Sequence, residues 1–229
     1  FETAAADGGA PTARSLILVT PDGQRTMNTF LGVSPELDSG AIDAGMIESA
    51  AITYLEGYLF DRDEAKAAFG EAARLARAAG RKVSLTLSDG FCVDRHRDSF
   101  LSLIKNDIDI LFANEDEICS LYQTSSFDEA AEKVAADAEL TVLTRSEKGS
   151  LVINGDAKHQ ADAFPVDEVV DTTGAGDLFA AGFLYGYSNG FDHTRSARLG
   201  SLAAAEIISH VGARAETDLR KLVRDHGLI

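Results

Sequence analysis

The sequence predicts an α/β protein, a mostly parallel sheet covered by helices. Three observations carry this. From about residue 40 onward, short apolar runs alternate with helical stretches, the pattern of strand, crossover helix and parallel strand. The helical stretches carry start and stop signals, such as Asn114 and Gly80. At 229 residues and 45% hydrophobic content, the chain can bury one large core.

The elements follow in order. Residues 14–20 and 24–31 flank Pro21-Asp22-Gly23 and read as a β-hairpin. Its second run alternates polar and apolar residues, so one face is expected to be half exposed. Residues 50–55 read as a strand. Residues 61–79 form a strong helical pattern, with Asp61 as its cap and Gly80 as its stop. Residues 83–87 are the next strand, followed by a loop carrying Phe91 and a helix that includes 100–104. Residues 108–113 read as a buried strand, with Asn114 capping the helix after it. A helix over 127–138 and a strand over 141–144 come next, then short strands near 151–153 and 159–163. Helices are expected over 176–187, 194–209 and 218–225. No internal repeat, low-complexity tract or interdomain linker interrupts this order.

Composition narrows the function classes. The net charge of −16 argues against nucleic acid or an anionic membrane as partner. Cys92 and Cys119 have no metal-type spacing, and the lack of a disulfide framework fits a reducing cytoplasm. No run approaches membrane-span length. The chain opens at Phe1 in what reads as mid-domain sequence, so a fragment is expected.

The most informative stretch is Asp171-Thr172-Thr173-Gly174-Ala175-Gly176-Asp177, followed at once by an apolar helix. A Gly-Ala-Gly turn opening a helix leaves several backbone N–H groups without intrahelical partners. The positive end of the helix dipole adds to them, which makes an anion site. Asp177 falls in the first helical turn, where a carboxylate serves as a proton acceptor. An anion hole beside a base is what phosphoryl transfer to an alcohol needs. A short glycine motif alone also fits a tight strand-to-helix turn with Asp177 as a dipole partner. The full seven-residue string favours the chemical reading.

This string resembles the signature of the ribokinase-like (PfkB) family of carbohydrate and nucleoside kinases. The resemblance implies a three-layer ribokinase-like fold with a small β lid, residues 1–35 belonging to the lid and 36–229 to the nucleotide-binding core. It implies that Asp177 is the catalytic base and that Gly174, Ala175 and Gly176 form the anion hole. Thr144-Arg145-Ser146-Glu147-Lys148-Gly149 resembles the family's ATP-contacting loop, with Ser146 where the family often has glycine. By that likeness Thr144, Arg145, Lys148 and Gly149 contact ATP, although the same loop also reads as a solvated turn. Asn114-Glu115-Asp116-Glu117 resembles the family's Asn-x-x-Glu motif, which organises Mg²⁺ and phosphate. Asn114 would bind nucleotide and Glu117 would act on Mg²⁺ through water. A plain helix cap with acids in its first turn explains the same residues. Gly212 resembles the family's adenine-pocket helix break, or is an ordinary helix C-cap. Asp171 and Thr173 match a monovalent-cation site, for K⁺.

Acceptor binding is expected at Glu56, Phe91 and Asn28. Glu56 ends the strand at 50–55, Asn28 lies in the lid hairpin, and 83–91 resembles the adenosine-kinase segment whose phenylalanine stacks on the purine. Each also has a structural reading, as a loop glutamate or a buried aromatic. There is no GxxxxGK(S/T) loop, no complete GxGxxG and no HExxH. Ser102 and Lys105 match SxxK by chance, and the five histidines have no ligand spacing.

The expected function is an ATP- and Mg²⁺-dependent kinase acting on a primary hydroxyl, foremost the 5′-hydroxyl of adenosine. The alternatives are a sugar kinase or a non-catalytic nucleotide-binding relative. The expected partners are a small-molecule nucleoside or sugar, with no nucleic acid and no membrane, in a monomer or a lid-mediated homodimer.

Overall fold

A computed structural model describes residues 8–229. The hairpin forms as expected, β1 (Arg14–Val19) and β2 (Arg25–Phe30), as its own two-stranded sheet. Gly23 takes φ +75° in its turn, a conformation a side chain would strain. One expectation fails here. Every residue of both strands is exposed, not one face of the second, because the ribbon's alternation is not matched by a covering layer.

The chain divides into two compact units: the stretch up to Leu16 with Asn28–Thr141, and Ile17–Met27 with Val142–Ile229. A six-stranded sheet runs in sequence order: β3 (Ile52–Glu56), β4 (Lys82–Thr86), β5 (Ile110–Asn114), β6 (Leu140–Thr144), β7 (Ser150–Asn154) and β8 (Ala157–Ala161). β3, β4 and β5 pair in parallel, with Glu56 opposite Thr86 and Thr86 opposite Phe112. β7 and β8 form an antiparallel pair.

In the first unit, α1 (Ala44–Ser49) precedes β3 and α2 (Asp63–Ala78) follows it. α2 buries Ala65, Ala68, Phe69, Ala72, Ala73 and Ala76. That spacing is a narrow helical stripe of small residues, which lets the helix lie close to the sheet. Its start corrects the sequence reading. Arg62 occupies the cap position without a side-chain cap, while Asp61 ends a 3₁₀ turn, Gly57–Asp61. α3 (Gly90–Asp107) begins ten residues before the stretch expected from periodicity, 100–104, because the Asp89 carboxylate accepts from the N–H groups of Phe91 and Cys92 and so starts the helix across Gly90. Phe91 is therefore helical, not in a loop. α4 (Glu115–Tyr122) and α5 (Phe127–Asp137) complete this unit.

In the second unit, α6 (Ala175–Ser188) packs along α7 (His193–Ile207), with α8 (Leu219–Asp225) last. The two long helices approach closely through glycines. A Cβ on Gly182 would lie 2.7 Å from the Leu199 carbonyl oxygen, and one on Gly200 would lie 2.6 Å from that of Phe179. Larger residues there would push α6 away and move Asp177 with it. Among the described residues, no helix is long and apolar enough to cross a membrane.

Candidate active site

The expected site residues fall in both units, so each group is described within its own unit. In the second, the start of α6 carries the signature. Gly174 is the N-cap residue at φ +84°, and no side chain caps this helix end. The Ala175 N–H donates to the Thr172 carbonyl oxygen (3.3 Å), while Gly176 and Asp177 begin the helix with N–H groups that have no intrahelical acceptor. The two glycines serve different ends. A Cβ on Gly174 would meet Ala213 at 3.3 Å and would be strained at that φ. Gly176 has an ordinary φ, and a Cβ there would meet nothing within 4 Å. Backbone and packing therefore leave Gly176 free to carry a side chain; what its absence keeps clear is the space in front of the helix.

Asp177 stands in the first turn of α6. The residue is exposed, yet its carboxyl is crowded enough that desolvation raises its pKa above the ordinary aspartate value, against the opposing charge of Arg25. A raised carboxyl is the better proton acceptor. Arg25 is a residue the sequence reading missed. Its Nη1 donates to Thr172 Oγ1 (2.8 Å) and to the Thr172 carbonyl oxygen (3.2 Å). Thr172 in turn donates its N–H to the Gly23 carbonyl oxygen (3.3 Å), so the hairpin turn is tied to the signature. A lone arginine in an exposed strand looks solvated in sequence, and nothing near it in the chain marks its distant partner.

Asp171 is 2% exposed. Burial by itself would raise its carboxyl. Hydrogen bonds from Thr173 Oγ1 (2.6 Å), the Gly212 N–H (3.0 Å) and the Thr173 N–H (2.9 Å) hold it below the usual range, with help from the Arg25 charge. Asp171, Thr173 and Gly212 are thus brought together, which orders the turn before α6. Three of the roughly four acceptor positions of a carboxylate are used, leaving Asp171 able to give one contact to a cation.

The Thr144–Gly149 loop is a 3₁₀ turn closed by the Arg145 N–H to the Gly149 carbonyl oxygen (2.8 Å). Ser146 sits at φ +51°, which gives the physical reason a glycine suits this position. Gly149 at φ +80° must be glycine, since a Cβ would lie 2.1 Å from the Ala161 carbonyl oxygen. Gly149 is thus required by the turn itself. A cleft of about 410 Å³ near the end of α7 is lined by Asp167, Leu202, Glu206, Ser209 and His210 among others. Its carboxylates suit a base better than phosphates.

In the first unit, Asn114 and Glu117 form a reciprocal capping box on α4. The Asn114 Oδ1 accepts from the Glu117 N–H (2.8 Å), and Glu117 Oε2 accepts from the Asn114 N–H (2.9 Å). Glu117 is 7% exposed, and burial pushes its carboxyl from 4.5 to about 7, with the charges of Asp89, Glu56 and Asp116 adding to the rise against the Asn114 N–H. Glu56, at the end of β3, accepts from the Ser88 hydroxyl. Phe91 is 77% exposed, a large ring presented on the first turn of α3. Asn28 lies exposed in β2. Among the described residues, no group of three or more His, Cys, Asp and Glu side chains is arranged to hold a metal ion. A Mg²⁺ ion that keeps most of its waters needs no such cage, and the charge-starved Glu117 carboxyl fits an ion held through water.

Comparison with known proteins completes the picture. The pfkB family of carbohydrate kinases matches residues 3–220. The crystal structure of adenosine kinase from Sinorhizobium meliloti is 46% identical, superposes with a TM-score of 0.97, and is matched over 99% of this chain and 69% of that one. A probable sugar kinase from Rhizobium etli is 48% identical with a TM-score of 0.94, over 96% of this chain and 67% of that one. A cytidine kinase of Thermococcus kodakarensis is 34% identical over 60% of this chain and 51% of its own length. The chain spans between 42% and 65% of the first curated relatives it matches. The architecture is the three-layer ribokinase-like one, and with its signature intact the chain belongs to the pfkB family of carbohydrate kinases.

Proposed function

We propose that the protein carrying this chain is an ATP-dependent kinase that phosphorylates the 5′-hydroxyl of a nucleoside, adenosine foremost. The observation that carries this is the start of α6: an uncapped helix end, a glycine with no structural need to be one, and a raised carboxyl one residue on. Asp177 takes the proton as the acceptor hydroxyl attacks. The N–H groups of Gly174, Ala175 and Gly176, with the Arg25 charge, stabilise the transferring phosphoryl group. Thr144, Arg145, Lys148 and Gly149 hold the nucleotide phosphates, and the cleft beside Ser209 and His210 takes the adenine, next to Gly212. Asn114 binds the nucleotide, and Glu117 would hold Mg²⁺ through water, where the ion would neutralise phosphate charge. Asp171 and Thr173 contribute to a monovalent-cation site. Residues 8–35 serve as a lid that excludes water, the rest of the expected lid, 1–7, lying outside the described residues, and Asn28, Glu56 and Phe91 hold the acceptor. Two free cysteines suit a cytoplasmic enzyme.

The exposed Phe91 ring supports a nucleoside acceptor, because base stacking on an aromatic contributes about 1–3 kcal/mol. The likeness to a probable sugar kinase supports a second reading, with Glu56 holding ring hydroxyls and Phe91 idle. The test is ATP consumption by the full-length protein against a panel of nucleosides and sugars, wild type beside Phe91→Ala. ATP consumption with subsaturating adenosine that falls on Phe91→Ala supports the nucleoside reading. Turnover with a sugar alone, indifferent to Phe91→Ala, contradicts it.

A further inference from the structure

The helix that presents Phe91 is broken, and the break is held by charged groups from another element. Inside α3, His96 leaves helical geometry at φ −125°, ψ 24°, so Gly90–Arg95 forms a separate piece carrying Phe91. At that break Asp61 accepts from both neighbours. Arg95 donates its Nε to Oδ1 (3.1 Å) and its Nη2 to Oδ2 (3.0 Å), a bidentate fork. His96 Nε2 lies 2.8 Å from Asp61 Oδ1, and Lys66 Nζ lies 3.3 Å from its Nδ1. An ammonium only donates and a carboxylate only accepts. The neutral imidazole with its proton on Nε2 satisfies both partners.

The rest of α3 is fixed differently. Phe60, the residue before Asp61, stacks on Phe100 with ring centres 4.3 Å apart. The chain from Glu56 to Asp61 is also fitted against the approach to Phe91. A Cβ on Gly57 would lie 2.6 Å from the carbonyl oxygens of Thr86 and Leu87, and Cys92 Sγ donates to the Gly57 carbonyl oxygen (3.4 Å). On the other flank, Ser120 Oγ donates to Asp94 (2.7 Å). Exposed ion pairs of the Asp61–Arg95 kind add little to stability. Their convergence on a helix break is better explained by orientation.

We propose that Asp61, through Arg95 and His96, is a positioning residue that fixes how Phe91 is presented and so sets preference for an acceptor bearing an aromatic base over a bare sugar. The proposal rests on the nucleoside reading above. In the full-length protein, Asp61→Ala should raise the adenosine KM about fivefold and Phe91→Ala about tenfold, with kcat and the ATP KM within about twofold of wild type. Because Asp61 acts through Phe91, the double variant should be no worse than Phe91→Ala alone. Asp61→Asn, which keeps the shape and one acceptor, should recover part of the loss and guards against misfolding of the alanine variant. An unchanged adenosine KM, or single effects that multiply in the double variant, would overturn the proposal.

A second readout separates this from the nucleoside reading. The 229-residue sequence contains no tryptophan, so Phe91→Trp adds a reporter at the position in question. Adding Asp61→Ala should lower the fluorescence anisotropy of Trp introduced there; unchanged anisotropy removes the clamp. If adenosine is not turned over at all, the nucleoside reading falls and the anisotropy still judges the clamp; if it is turned over but Phe91→Ala leaves its KM alone, the specificity role falls by itself.

Discussion

Two helices of this protein start in opposite ways, α4 after β5 and α6 after the signature. α4 closes its own end: Asn114 and Glu117 exchange hydrogen bonds, so that the N–H groups of both are satisfied from within. α6 does the reverse, with a left-handed Gly174 at its cap and no side chain over its donors. A closed end is a stability device that tolerates an acid; an open end is a place for an anion from outside. The contrast is not complete, because the closure of α4 buries Glu117 without giving its charge enough partners.

The comparison can be broken at the glycines of α6 first, where the largest effects are expected. Gly174→Ala should lose stability by about 1–3 kcal/mol, from strain at φ +84° and contact with Ala213, together with activity. Gly176→Ala should leave the melting temperature unchanged while cutting kcat/KM by about tenfold or more, since its side chain would enter only the open space. Equal loss of stability in both would make Gly176 a packing residue.

Glu117 sharpens the other side. Its folded pKa, about 7, lies above the ordinary 4.5, so the folded protein holds this proton more tightly than the unfolded chain. Its contribution to stability is full below pH 4.5 and is lost as pH rises through about 7. Denaturant titrations across that window should show the loss in wild type and its absence in Glu117→Gln. The smallest effect is expected for Asn114→Ala, about 1 kcal/mol from the lost cap, read from urea unfolding. A loss near zero would mean that α4 does not depend on its box.

The sequence carried the fold well because helix and strand signals agreed with one another over most of the chain. The alternation fixed the order of β3 to β8, and Gly80, Asn114 and Gly174 marked helix boundaries that the structure keeps. Errors arose where a residue's partner is distant in sequence. Asp61 looked like the cap of the following helix, but its partners are Arg95 and His96. Phe91 was expected in a loop by likeness to the adenosine-kinase segment, whereas the Asp89 side chain starts a helix across Gly90. Arg25 gave no local sign of its bond to Thr172, a residue 147 positions away. Ser146 is the instructive intermediate: its departure from glycine was visible, and φ +51° explains why it matters.

The most direct test of the open helix end as a phosphoryl-transfer centre is the steady-state kinetics of Asp177→Asn in the full-length protein. Asparagine keeps the size and the first-turn position but cannot take the acceptor's proton. The variant's kcat should fall by about a hundredfold or more, with the ATP KM nearly intact. Near-normal turnover in Asp177→Asn would contradict that role for the helix end.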